Sequence, residues 1–277
     1  MKIAVFYENI YDGVRETRAS MEDTLARLRD EGMALLYVSA DSWKRDGKTL
    51  SGIMNRLGIG LEGMHCFLNY PEGASDRDSR DMVHLARDAG AGNLLIVPGF
   101  LSTGNSVRDM GAILDGVRCA AAYGREEGLP ILMEDFDGLS SPSNCMAGLQ
   151  YFLEQAPGLG CAFDTGNFAA FHEDELAAFD LFDDKIETVH LKDCAPAPRH
   201  EKDTPFRCAD FTPVYACQIG SGGIRIAEIL KRLKARHYPG NVIVELYCCD
   251  PRYVLDDISA SIRWLREQGI EQSPHLL

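Results

Sequence analysis

The chain has 277 residues, of which 45% are hydrophobic and 25% charged, and a formal net charge of -14. A surface that acidic is a poor partner for nucleic acid or an anionic membrane, and no apolar run is long enough to cross a bilayer. Nine scattered cysteines without a C-x-x-C pair point to a reducing cytoplasm, and argue against a disulfide framework or a structural zinc site. The opening Met1–Phe6 lacks the apolar stretch of a secretory signal.

In chain order the pattern alternates strand and helix. Strand one is expected at Lys2–Tyr7 and helix one at Val14–Arg29, with strand two at Ala34–Ser39. A short helix follows at Leu50–Leu57, then strand three at Leu61–Leu68 and helix three at Arg77–Ala89, which stops at Gly90. Strand four, Asn93–Pro98, reads N-L-L-I-V-P, a run buried on both faces. Helix four, Ser106–Glu127, stops at Gly128, and strand five is Ile131–Asp135. Ser143 is expected to cap helix five, which runs to Glu154. Strand six is Gly160–Asp164, helix six Asp174–Phe182 and strand seven Ile186–Lys192. Helix seven is Gly223–Ala235, strand eight Asn241–Leu246 and helix eight Tyr253–Glu267. Eight strands alternating with eight helices predict an α/β fold of one domain, a single (β/α)8 TIM barrel over residues 1–277.

In such a barrel the active site lies at the C-terminal ends of the strands. Four consecutive strands end there on Glu134, Asp164, His190 and Glu245. Three carboxylates crowded together repel one another unless a cation sits among them. Three oxygen donors and an imidazole suit one divalent ion, Mn2+ foremost, with Mg2+, Co2+ or Zn2+ as alternatives.

Strand seven, I-E-T-V-H-L-K-D, places His190 and Lys192 on one face. Lys192 would bind a substrate oxygen or phosphate, or balance the carboxylates. Asp193 would support the metal-bound His190 or cap a loop. His65 on strand three and Glu8 at the end of strand one are further candidates for substrate contact. The Cys194–Gly222 segment is long for a β/α loop and holds Arg199, His200, Lys202 and Arg207. It reads as a lid whose Arg207 reaches substrate, or as an excursion that packs against a second copy, which keeps a homo-oligomer open. Gly220–Gly223, before helix seven, would cradle a substrate phosphate or simply turn the chain.

With these residues assembled, the chain resembles the xylose isomerase-like sugar phosphate isomerase/epimerase superfamily. The motifs are M-E-D at 133–135, F-D-T-G-N-F at 163–168, V-H-L-K-D at 189–193, G-S-G-G-I at 220–224 and V-E-L at 244–246. The resemblance implies that Glu134, Asp164, His190 and Glu245 are the metal ligands. It further implies that Glu134 and Glu245 are the acid/base pair of an isomerase or epimerase of a sugar, sugar phosphate or related polyol, acting through a metal-stabilised enediolate, and that the partner is a small carbohydrate. A dehydratase on a keto-sugar or keto-inositol and a non-catalytic sugar-binding subunit are the alternatives. Many epimerases of the group have a histidine three residues after the strand-six aspartate. Here Asn167 stands there, able to bind a hydroxyl but not to ligate comparably. With that histidine missing, and no Asp-x-His pair after the lid, the endonuclease members are a poor match.

Overall fold

In the computed structural model, which describes residues 1–270, the short apolar segments pair in parallel and close into a barrel. The elements run β1 (Ile3–Phe6), α1 (Tyr7–Thr17), α2 (Met21–Glu31), β2 (Met33–Ser39), α3 (Ala40–Leu57), β3 (Gly60–Phe67), α4 (Asp76–Ala89), β4 (Leu94–Val97) and α5 (Ser106–Glu127). They continue with β5 (Ile131–Glu134), α6 (Met146–Gln155), β6 (Leu159–Asp164), a 3-10 turn at Asn167–Phe171, α7 (Glu175–Phe182) and β7 (Ile186–Leu191). Then come β8 (Asp193–Ala195), β9 (Phe206–Arg207), β10 (Pro213–Cys217), α8 (Ile226–Ala235), β11 (Val242–Val244) and α9 (Val254–Glu267). The barrel order is β1-β11-β7-β6-β5-β4-β3-β2, and β11 closes onto β1 with Ile3 opposite Val242 and Val5 opposite Val244.

Side chains alternate across each strand, so the barrel has two cores. Ala4, Phe6, Tyr37, Leu95, Leu132, Ala162 and Ile243 fill its interior. Their neighbours, such as Ile3, Val5, Leu36, Ile131 and Val244, pack outward beneath the helices. Burying one such large side chain stabilises the fold by roughly 1.5–3 kcal/mol. The expected stops at Gly90 and Gly128 are real: both are left-handed, at φ 79° and 69°, which glycine adopts at no steric cost.

Three local expectations are corrected. Helix one is two helices, and the first begins directly after β1. Arg18 turns left-handed (φ 57°) between them, and the Ser20 side chain caps α2 by accepting from the Asp23 amide at 3.3 Å. The helix after β2 starts at Ala40, capped by Ser39, which accepts from the Ser42 amide at 3.0 Å. Ser143 does not cap α6. Its hydroxyl pairs with Ser141, and the Met146 amide at the helix start donates instead to Glu173 at 2.7 Å.

The segment after β7 is more ordered than a loop. Its strands form a small antiparallel sheet in the order β8-β10-β9. One end is tied to the loop after β11: the Thr204 amide donates to the Cys248 carbonyl (2.9 Å) and the Asp250 amide to Asp203 (2.7 Å). The other end is tied to the turn after β6, where the Ala209 amide donates to the Ala170 carbonyl at 2.7 Å.

Candidate metal centre and active site

The strands deliver the four candidate ligands by pleat and register alone. Leu132, Ala162 and Ile243 fill the interior, and two residues on, Glu134, Asp164 and Glu245 share their face. Glu134 lies opposite Ala162, Asp164 opposite His190, and His190 opposite Ile243. All four side chains are buried, and one ligating atom from each lies within 4.8 Å of the others.

His190 Nδ1 is 3.3 Å from Glu134 Oε2 and 3.4 Å from Glu245 Oε2. Those contacts are close but misaligned, and neither ring nitrogen has a hydrogen-bond partner. The imidazole stands on an aromatic floor, 5.1 Å from both the Phe6 and Tyr37 ring centres. Asp164 divides its carboxylate. Oδ1 accepts from the amides of Gly166 (2.7 Å) and Asn167 (2.9 Å), and Oδ2 is buried without a partner. It therefore caps the turn with one oxygen and leaves the other for the cluster. A buried polar atom without a partner costs about 1–3 kcal/mol, and a cation held by these four residues would remove that cost. The donor set fits a divalent ion on those grounds.

The charges are strongly coupled. Burial raises the Glu134 carboxyl, with His190 opposing, and lifts Asp164 well above the carboxylate range, reinforced by Glu245. Burial would also raise Glu245, but Lys192 and His190 outweigh it and hold that carboxyl at about 2. Burial would lower His190, but Glu134 and Glu245 outweigh it and carry the imidazole to about 10.

Lys192 is buried beside the cluster. Its Nζ donates to Asp137 Oδ2 (2.9 Å) and Asn167 Oδ1 (2.8 Å), and lies 3.4 Å from Glu245 Oε1. The Asn167 amide nitrogen donates to the Asp135 carbonyl at 2.6 Å, which fixes its orientation. The Phe206 ring of the small sheet sits 5.1 Å from the ammonium. Above these groups lies a cavity of about 250 Å3. Its walls are Phe6, His65, Phe67, Leu95, Val97, Phe136, Tyr247 and Cys248, and its polar groups are Glu134, Asp137, Asn167, Lys192 and Glu245.

Of the remaining candidates, His65 does line the cavity, with its ring stacked 5.9 Å from that of Tyr37 and Nδ1 buried without a partner. Glu8 does not. It sits in the first turn of α1, and its Oε1 accepts from the Ser39 amide at 3.0 Å. Asp193 does not support His190 either. Its carboxylate accepts from the amides of Cys194, Gly220 and Gly222, each at 2.9 Å, and of Ile224 at 3.2 Å.

That contact also fills the glycine turn. The remaining amides there are taken as well, Ser221 by the Gln218 carbonyl and Gly223 by the Cys194 carbonyl. The turn already holds an anion, and that anion is protein. The basic cluster of the segment faces outward: Lys202 pairs with Glu16, and Arg199 approaches Asp257, which His200 contacts at 3.0 Å. Arg207 belongs to β9 by its backbone, and its side chain lies outside the described residues.

Asp137 and the aromatic walls escaped the sequence reading. Asp137 lies in a loop, where no periodicity marks a direction. Phe6 and Tyr37 read as ordinary strand residues, and only closure of the barrel turns them toward His190.

The sequence matches the xylose isomerase-like TIM barrel family over residues 22–268. Among curated proteins it is 27% identical over 106 residues to SgbU of Escherichia coli (strain K12), an inferred L-ribulose-5-phosphate 3-epimerase. That match covers 37% of this chain and 32% of that protein, about a third of its length. Among solved structures, AsbF of Bacillus anthracis, an inferred 3-DHS dehydratase, superposes with a TM-score of 0.74 at 14% identity, over 96% of this chain and 99% of that one. The D-psicose 3-epimerase of Clostridium cellulolyticum H10, solved with D-tagatose, gives 0.69 at 14%, over 98% and 100%. These likenesses show a shared fold, and the match across most of the sequence shows more: the chain belongs to the xylose isomerase-like TIM barrel family.

Proposed function

We propose that the protein is a divalent-metal-dependent isomerase or epimerase of a small, unphosphorylated keto-sugar or related polyol. The observation that carries this reading is the placement of two buried glutamates, Glu134 and Glu245, 3.3 and 3.4 Å from His190 Nδ1 at the floor of the cavity. Glu134, Asp164, His190 and Glu245 would hold the ion. The bound ion would neutralise the carboxylates and polarise a substrate carbonyl, acidifying the neighbouring C–H.

The protein's own groups divide the proton work. Glu245, ionised beside Lys192 at 3.4 Å, would remove the proton from carbon. Glu134, whose carboxyl burial raises, returns a proton from the other side. Return to the same carbon gives an epimer, and return to the adjacent carbon gives an isomer. Lys192 and Asn167 hold substrate hydroxyls, and the walls formed by Phe67, Val97 and Phe136 keep water from the exposed carbanion.

A phosphate is not favoured. Among the described residues lining the cavity, Lys192 is the one lysine or arginine, and it is already shared by Asp137, Asn167 and Glu245. The cavity is also smaller than the ~300–1,000 Å3 typical of sites for drug-sized ligands. If a β-hydroxyl left the intermediate before reprotonation, the same residues would run a dehydration, with Lys192 as the proton donor to the leaving oxygen.

The test is a panel of keto-sugars and polyols, free and phosphorylated, incubated with Mn2+-loaded protein in deuterated water. Deuterium should enter one C–H of a free keto-sugar, with an epimer or isomer as product. Binding of sugar and metal with no exchange across the panel would reject catalysis and leave a binding subunit. A dehydrated product would replace the isomerase reading.

A further inference from the structure

Against the expectation drawn from the cysteine spacing, we propose that His172, Cys208 and Asp210 form a second divalent-metal site, one with a thiolate ligand suited to zinc, that clasps the small sheet after β7 to the turn after β6. The three residues come from separate segments. His172 directly follows the Asn167–Phe171 turn, while Cys208 and Asp210 lie in the bend between β9 and β10. Their ligating atoms all lie within 4.8 Å of one another.

The spacing between two of them, a direct ion pair, also suits two ligands of one ion. His172 Nε2 is 3.2 Å from Asp210 Oδ2. Two donors each about 2.0–2.1 Å from a tetrahedral zinc stand about 3.3 Å apart. The third ligand comes from below: Cys208 is 1% exposed, whereas His172 and Asp210 are exposed. The set therefore has a buried sulfur, two outer ligands and a fourth position open to water. Its present partner is weak, since the Cys208 thiol reaches the Ala169 carbonyl only at 3.5 Å.

The chemistry separates this site from the barrel mouth. Three carboxylates and an imidazole suit manganese or magnesium. A thiolate, an imidazole and one carboxylate select zinc or cobalt over both. Because this cluster shares no ligand with the mouth, the inference stands whether or not the proposed activity does.

Its consequence lies in the connection. Asn167, which orients Lys192, opens the turn that ends at His172, and Phe206, which covers Lys192, opens the hairpin that carries Cys208. An ion at the clasp would fix the cover to the rim of the cavity.

Tag-free, full-length protein stripped with a chelator and titrated with Co2+ reads the site directly. A thiolate-to-cobalt charge-transfer band should grow to saturation by two equivalents, the mouth taking the other cobalt, and Zn2+ should bleach it while Mg2+ should not. No sulfur ligand exists among the four mouth residues, so His190→Ala should keep the band. Cys208→Ser should abolish it. His172→Gln, a change at an exposed side chain, should weaken cobalt binding about tenfold or more. No band in the wild type at excess cobalt, or a band that survives Cys208→Ser, would overturn the proposal. So would unchanged cobalt affinity in His172→Gln.

Discussion

At the scale of single residues the sharpest expectations concern the four inward-facing donors. Mn2+-loaded wild-type protein should retain roughly one equivalent on dialysis, as measured by atomic absorption, and His190→Ala should lose most of it. Full retention would mean that the ion sits elsewhere. Glu245→Gln and Glu134→Gln each keep an oxygen donor and should each lose turnover by about 100-fold or more. They should differ in isotope exchange. Glu245→Gln should stop deuterium entering the substrate, while Glu134→Gln should still exchange yet form little product. Metal occupancy must be measured beside rate, and near-wild-type turnover at full occupancy in either variant rejects the pairing. The same cluster sets a pH dependence. Without metal, burial favours neutral His190, but Glu134 and Glu245 outweigh it and hold its proton up to about pH 10. Metal entry must displace that proton, so affinity should rise by up to about tenfold per pH unit between neutrality and pH 9. A flat affinity over that span would show that the imidazole enters already neutral. These donors were legible in the sequence because period two fixes which way a strand residue points. Glu8 was misplaced because the chain bends into helix at Tyr7, one residue earlier than the strand pattern suggested.

At the scale of elements, the turn before α8 depends on one side chain. Asp193 gathers the amides of Gly220, Gly222 and Ile224, together with its neighbour Cys194. Asp193→Ala should therefore destabilise the protein by about 2–4 kcal/mol, because several amides lose a charged acceptor together. Urea unfolding reads that loss, and a change under ~0.5 kcal/mol would show that water replaces the carboxylate. The length of the segment after β7 marked it as unusual, but its sheet could not be foreseen. β9 is a two-residue strand, and β10 pairs with β8 across some twenty intervening residues, so no local alternation announces either. The glycine run G-S-G-G carried a genuine signal, a turn whose amides converge on an anion. What the sequence could not say is that the anion is the chain's own.

At the scale of the whole molecule, the barrel was legible because eight apolar strands alternating with helices leave few other ways to bury both faces. Its interior was less so, since only closure decides which residues meet at the axis. Ala162 is fully buried there beneath the four candidate ligands, in the packed set with Leu132 and Ile243. Ala162→Leu should cost about 1–3 kcal/mol by overpacking and weaken Mn2+ binding as well, because Asp164 is two residues along the same strand. Loss of stability with metal affinity unchanged would mean that the rim is insulated from the interior.

The double fastening of the small sheet, at Cys248 and Asp250 on one side and Ala170 on the other, has a bearing on traffic. With the small sheet fastened over the β6, β7 and β11 side of the mouth, the β3, β4 and β5 side is the expected way in for a sugar. The sill there is Phe67, an exposed aromatic residue that meets Phe136 edge to face at 6.0 Å. In a Cys248→Ser background, where no exposed thiol among the described residues lines the cavity, a bulky group attached through Phe67→Cys should slow both capture and release of sugar in stopped-flow measurements, while the ratio of the two rates changes little. The same label on Arg199→Cys, across the roof, should leave both rates as they were.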